Sequence, residues 1–450
     1  MTAQTLQVAI VGSGPSGFYA AEVLLDSGLD VAVTVYEKMP VPFGLVRFGV
    51  APDHPKLKTT TTVFEHIAQR PGFSLIGNVT VGRDLSIQEL RQFHHAVIFA
   101  YGAGTDNALE IPGESLPGSH TATEFVGWYN GHPDYRDRHF DLSQPVAAII
   151  GQGNVAADVA RILLSPIDVL ARSDIATHAL DALRESQVRE VRIIGRRSAA
   201  QAKFSVQELR ELGELADVDV AVADGDLQFN DVSREELADR NNFLAGKNVA
   251  LFQDWAARPS TGASQRLVFH FLRSPQAVIG DAQVQGLMLD ANTLQGAPFA
   301  QRAVPTGQVE RLDCGLVFRS VGYRGLPLPG LPFDARKGVI PNQAGRVTDH
   351  PGLYATGWIK RGPSGIVGTN RACAAETVGA LLEDAAVLRQ SGGRAGSAAA
   401  LDALKANGLK PTDYSGWTRI DAEEQRLGAA AGKPREKLVS VAAMLAVAGR

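Results

Sequence analysis

The chain has 450 residues, and its 44 Lys and Arg against 48 Asp and Glu leave a net charge of −4. That length supports two or three domains of ordinary size, with cores large enough to need no disulfide or metal staple. The charge balance excludes nucleic acid as the main partner, because binding a phosphate backbone demands a basic excess.

Two cysteines, Cys314 and Cys373, stand 59 positions apart. They exclude a disulfide scaffold, a Cys-ligated zinc or iron–sulfur centre and a C-x-x-C redox pair. Two buried free thiols are expected, with a single bridge as the alternative. No window approaches the roughly 18 continuous apolar residues of a membrane helix, so no membrane insertion is expected. The opening MTAQTLQVAIVG runs almost directly into a strand and leaves no room for a targeting peptide. These features point to a cytoplasmic protein, expected as a monomer or weak dimer.

In chain order, short apolar runs repeatedly meet glycine turns. Gln7–Val11 leads into GSGPSG and then a helical stretch, Phe18–Leu25, with Gly28 as its expected C-cap. Val31–Tyr36 follows, then Ala96–Phe99 before AYGAG and Val146–Ile150 before GQGNVA. After an inserted helix-and-loop stretch at about 163–187, Val188–Ile194 leads into GRR. Leu316–Phe318 then leads into RSVG and Leu353–Ala355 into TGW. Such alternation predicts βα units around parallel sheets, and therefore an α/β fold. The segment SGGRAGSAAA at 391–400 reads as a flexible linker before a short helical tail.

Two of these junctions have the dinucleotide-binding form. In Gly12-x-Gly14-x-x-Gly17 the first glycine permits the tight turn, the second lets a pyrophosphate approach, and the third lets helix and strand pack. Ser16 lies at the helix N-terminus, where N–H groups face phosphates. Glu37 stands 20 residues past Gly17 at the end of the next strand, placed to accept the hydroxyls of an adenosine ribose. The second fingerprint, Gly151-x-Gly153-x-x-Ala156, is followed not by an acid but by Arg196-Arg197 after Gly195. Two guanidiniums there suit a 2′-phosphate, hence NADP over NAD. The 45 residues from Gly151 to Arg196 are about twice the usual spacing, which the insertion explains.

Two such sites in one chain make sense if one holds FAD and the other NADP(H), with the reacting carbon and nitrogen about 3–3.5 Å apart between domains. A third glycine-rich segment, ATGWIKRGPSGIVGTN at 355–370, is placed to approach the flavin. The runs PFGLVRFGVAPDHPKLK (42–58), GQGNVAADVARIL, IGRR, SVGYRG and GWIKRGPSGIVGTN closely resemble the adrenodoxin-reductase-like ferredoxin–NADP(+) reductases. The resemblance extends from about residue 6 to the C-terminal KPREKLVSVAAML.

The resemblance implies two Rossmann-like dinucleotide-binding domains, the NADP domain (106–324) inserted into a discontinuous FAD domain (1–105 and 325–450). It implies FAD at Ser16, Glu37, Leu45, Val81, Trp358 and the Gly365, Ile366, Val367 segment, and NADP at Gln152, Gly153, Asn154, Val155, Arg196, Arg197, Glu208 and Gly365. His54 lies at a family position near the flavin edge, and Glu211 matches a carboxylate that pairs with it. That pair could tune the flavin or relay a proton. Where relatives carry an Arg at the NADP site this chain has Asn107, which puts phosphate affinity in question. The implied activity is electron transfer between NADPH and a ferredoxin-type iron–sulfur protein. A flavin monooxygenase is the rival enzyme, although His132 in FVGWYNGHPDY falls one place too late for that signature. A flavin- and NADP-binding redox sensor is the non-enzymatic rival. No H-E-x-x-H occurs and no metal is assigned.

Overall fold

Four short apolar strands open the chain, β1 (Leu6–Val11), β2 (Val31–Tyr36), β3 (Phe73–Ile76) and β4 (Ala96–Phe99). In the computed structural model, which describes residues 4–223, 225–365 and 368–449, β1 lies between β2 and β4, and β3 flanks β2, all parallel. Near-continuous apolar runs fit strands buried on both faces; Val8, Ala9, Ile10 and Val97–Phe99 have no exposed surface. Leu353–Ala355 joins β4 in parallel, and the hairpin strands Asn342–Gln343 and Arg346–Val347 complete the seven-stranded sheet.

This sheet belongs to one of two units, which comprises Met1–Asn107, Asn130–Pro133 and Gly322–Arg450. Helix α1 (Pro15–Leu25) packs on it, with Phe18 stacked 4.9 Å from Phe64 and tilted 5.4 Å from Phe43. α1 ends at the αR C-cap Asp26, two residues before the expected cap. Gly28 instead takes φ +74° in the turn beyond. Helix Gly396–Ala406 overturns the flexible linker in its second half. Alanine is the best helix former, and Ala400 and Leu404 bury against Val81 and Leu90 in one apolar cluster.

The other unit, Ala108–Tyr129 with Asp134–Val321, carries an all-parallel six-stranded sheet. Its order is Ser119–Thr121, Leu316–Arg319, Val146–Ile150, Glu190–Ile194, Gln265–His270, Val218–Val222. After the fingerprint helix Asn154–Leu164, helices Ile167–Leu170 and Thr177–Arg184 fill the inserted stretch expected at about 163–187. An antiparallel sheet of Arg273–Ile279, Gly286–Gln295 and Arg302–Asp313, absent from the sequence expectation, adds to this unit. Cys314 and Cys373 are both free and buried, and burial pushes the Cys314 thiol up to about 12. Among the described residues no helix is long and apolar enough to cross a membrane.

Candidate dinucleotide sites

In the first unit the three fingerprint glycines differ in what surrounds them. A Cβ on Gly12 (φ +107°) would lie 2.7 Å from the Ala100 carbonyl oxygen, and one on Gly17 would overlap the Gly12 carbonyl oxygen. A Cβ on Gly14 would meet nothing within 4 Å. The first and third glycines are therefore steric necessities of the turn, while the second borders open space where a ligand can approach. Glu37 is held in place: Oε2 accepts from Ser13 N (3.0 Å) and Ser13 Oγ (2.6 Å), and Oε1 accepts from Met39 N (3.0 Å). Of about four acceptor positions on a carboxylate, three are used internally. Ser13 is a site residue the motif reading passed over, although it sits between the fingerprint glycines.

The PFGLVRFGV run forms the wall opposite Gly14. Phe43 takes φ +84°, a conformation that strains a bulky side chain by about 1–3 kcal/mol. It is held there by its N–H on the Ser13 carbonyl (3.0 Å) and by its ring against Phe18, Phe64 and Trp417. Gly44 follows, so close to Gly14 that a Cβ would lie 3.2 Å from the Gly14 Cα. Leu45 then opens helix α2 (Leu45–Phe48) with its side chain exposed. Arg47 anchors α2 from behind through an ion pair at 2.5 Å with Glu424, both buried. Val81 lies in the apolar cluster with Val11, Tyr36 and Ile359.

The third glycine-rich segment reaches the start of α1. A Cβ on Gly357 (φ +69°) would overlap Ser16 Oγ, which donates to Asn370 Oδ1 at 3.0 Å. Arg361 donates to the same Asn370 oxygen (2.8 Å) and to Ser364 O (2.8 Å). Among the described residues, Trp358 Nε1 and Arg361 Nε are buried donors with no partner. Orphaned donors beside an open glycine loop and a helix N-terminus are what a phosphate- and carbonyl-bearing ligand would satisfy. Gly365 has φ +83°; Ile366 and Val367 lie outside the described residues. His54 N-caps helix Pro55–Lys58 in this unit. Asn107 donates to the carbonyls of Gly322 (3.1 Å) and Tyr323 (3.4 Å).

The second unit repeats the pattern. A Cβ on Gly151 (φ +140°) would overlap the Ser320 carbonyl oxygen, whereas one on Gly153 would have Lys203 Cβ as its nearest neighbour at 3.9 Å. Gln152 Oε1 is buried without a partner among the described residues, its side chain lying against Gly195. Asn154 Oδ1 accepts from Ser205 N at 2.7 Å, and Val155 packs on the main core. Glu208, on helix Val206–Leu212, is buried and pairs with Arg161 at 3.0 Å. Glu211 on the same helix accepts from Gln207. Arg196 is exposed and Arg197 half-buried. Among the described residues neither guanidinium has a carboxylate within ion-pair distance. Burial and then the Arg196 charge push Arg197 below its ordinary value, while Glu236 opposes them. Two adjacent cations at a strand end, neither in an ion pair among the described residues, fit a dianionic phosphate.

A family model described as an NAD(P)-binding Rossmann-like domain matches residues 10–71. NADPH:adrenodoxin oxidoreductase of Bos taurus is 45% identical over 457 residues, covering 99% of this chain and 92% of the relative. The NADPH-ferredoxin reductase FprA of Mycobacterium tuberculosis is 44% identical over 453 residues, covering 98% of each. The chain belongs to this reductase family. A solved structure of that FprA in complex with NADPH superposes with a TM-score of 0.94, at 43% identity, over 99% of this chain and 100% of its own. Family membership accounts for the α/β fold with two glycine-rich turns and for the motif blocks at 42–58 and 355–370.

Proposed function

We propose that the chain is an FAD-dependent oxidoreductase that moves electrons between NADPH and a ferredoxin-type iron–sulfur protein. The observation that carries this reading is the contrast between the two fingerprints. One is followed by a fixed carboxylate, Glu37, and the other by Arg196 and Arg197, which form no ion pair among the described residues. Near-full-length identity to NADPH:adrenodoxin oxidoreductases and FprA supports it.

In this proposal the 1–105 and 325–450 segments hold FAD and the 106–324 segment holds NADP(H). Gly12, Gly14, Ser16, Gly17, Glu37, Leu45, Val81, Trp358 and the Gly365–Val367 segment serve FAD. Gln152 to Val155, Arg196, Arg197, Glu208 and Gly365 serve NADP. Bound FAD would supply the conversion between a two-electron hydride donor and a one-electron iron–sulfur acceptor. The protein's part is to bind and orient: Gly14 and Gly153 leave room for pyrophosphate, Glu37 holds a ribose hydroxyl, and the Arg pair holds the 2′-phosphate. His54 and Glu211 are proposed to act together in holding or moving a proton at the imidazole. Ferredoxin–NADP(+) reductase activity and cytoplasmic residence belong to the same proposal.

The test is NADPH-dependent reduction of cytochrome c coupled through ferredoxin, with stimulation that weakens as salt rises. No stimulation over the enzyme alone at low salt contradicts the partner assignment.

A further inference from the structure

The strand Glu190–Ile194 delivers Arg196 and Arg197 at its end, and the backbone there is tied on several sides. Gly195 N donates to His270 O (2.8 Å), and Arg273 N donates to Gly195 O (3.0 Å). The Arg197 carbonyl accepts from Leu272 N (3.2 Å), and the Arg196 carbonyl accepts from the Asn292 side chain, Nδ2, at 2.9 Å. Asn292 N in turn donates to Leu272 O at 2.8 Å. The two arginine carbonyls, Leu272 and Asn292 thus close a ring of hydrogen bonds.

Two irregularities, one just before the antiparallel sheet and one within it, converge on this ring. Leu272 takes φ +55°, a left-handed conformation that a branched side chain reaches at about 1–2 kcal/mol. The pairing of Gly286–Gln295 with Arg302–Asp313 slips between Asp290 and Asn292, so that Asp290 faces Val309 and Asn292 faces Pro305. Such a bulge re-aims a side chain. Asn292 is 6% exposed. Its Nδ2 also donates to Ser274 Oγ (2.8 Å), and its Oδ1 is buried with no partner among the described residues. A carbonyl can only accept, so the amide orientation is fixed by Arg196.

We infer that Asn292 is a positioning residue for the Arg196–Arg197 pair and, through it, sets the preference for NADPH over NADH. This rests on the NADP assignment of that pair. The backbone carbonyls set where both long side chains begin, and bidentate contact with a phosphate tolerates only about 0.5 Å of misplacement. Asn292 reaches the pair from 95 residues or more along the chain, and it touches the pair through the Arg196 backbone carbonyl.

The experiment compares Asn292→Ala and the near-isosteric Asn292→Asp with the parent enzyme, each also in an Arg196→Ala/Arg197→Ala background. KM and kcat are measured for NADPH and NADH with ferricyanide as acceptor. Loss of one such hydrogen bond is expected to raise the KM for NADPH about 3- to 10-fold, with kcat and the NADH constants within about 2-fold. In the double-Arg background the Asn292 variants should have no further effect on selectivity. If the Arg pair proves essential for NADPH preference and the Asn292 variants keep that preference, the positioning role is wrong. Equal losses for both coenzymes, or equal losses in both backgrounds, also overturn it. If the double-Arg variant itself keeps full preference, the NADP assignment fails and the inference falls with it.

Discussion

Replacing Arg197 or Arg196 by Ala should weaken NADPH binding without slowing the transfer itself. Neither guanidinium is spent on a carboxylate within the described residues, so each is available to a phosphate. A charge-assisted hydrogen bond contributes about 1.5–3 kcal/mol, or about 10- to 150-fold in a dissociation constant. Arg197 is half-buried, where screening is weaker, and belongs at the upper end of that range. Arg196 is exposed and belongs at the lower end. NADH has no 2′-phosphate, so its constants should stay unchanged or improve slightly as positive charge is removed. Because the phosphate lies far from the reacting carbon, the lost energy is uniform binding, and kcat at saturating NADPH should hold. Asn107 adds no charge that could compensate, and its amide is engaged with Gly322. Initial rates with ferricyanide, run over NADPH and NADH concentrations, give both constants. Wild-type preference in both single variants would refute the strand-end reading and place the phosphate elsewhere.

Gly14→Val should fold normally, since its Cβ meets nothing, yet abolish FAD binding in titrations of the apoprotein; Gly17→Ala should instead destabilise the fold by about 1–3 kcal/mol in denaturant unfolding, because its methyl overlaps the Gly12 carbonyl. Single replacements of His54 and Glu211 by Gln should each slow anaerobic reduction by NADPH in stopped flow, and the double change should be little worse than either; additive losses would mean separate roles. Burial raises Asp226 to about 6, opposed by its bonds to Phe271 N and Arg273. The folded chain therefore binds that proton more tightly than the unfolded one, so stability from this group is full below about pH 4 and lost as pH rises through about 6. Asp226→Asn keeps an acceptor for Phe271 N and should raise the Tm by several degrees at about pH 8 but not at about pH 4; equal gains at both would contradict the assignment.

The parts of the fold legible in the sequence are those whose demands are local. Val31–Tyr36, Ala96–Phe99, Val146–Ile150 and Leu353–Ala355 coincide with observed strands, because each is a short, largely apolar run. The fingerprint glycines were legible for the same reason, since a turn that excludes Cβ must be written as Gly at that position. The antiparallel sheet was not. Its outer strand, Arg302–Asp313, is polar and almost wholly exposed, interrupted by Pro305 and Gly307, and its partner carries a bulge. Gly396–Ala406 was masked by a Gly- and Ser-rich composition whose alanines find a core only after the chain has folded. Phe43 and Asn292 carry no local signal at all. The first is defined by a left-handed backbone that packing enforces, the second by a hydrogen bond to a carbonyl far earlier in the chain. The site was therefore readable as a set of ligand-facing residues, and unreadable as the set of residues that hold them.

The most direct test of the proposed electron path is an anaerobic titration of the purified, FAD-loaded protein followed by its visible spectrum. One equivalent of NADPH should bleach the flavin bands, a matching amount of NADH should do so far more slowly, and oxidised ferredoxin added afterwards should restore them. A preparation that binds no FAD, or whose flavin bands survive excess NADPH unchanged, would contradict the account at its centre.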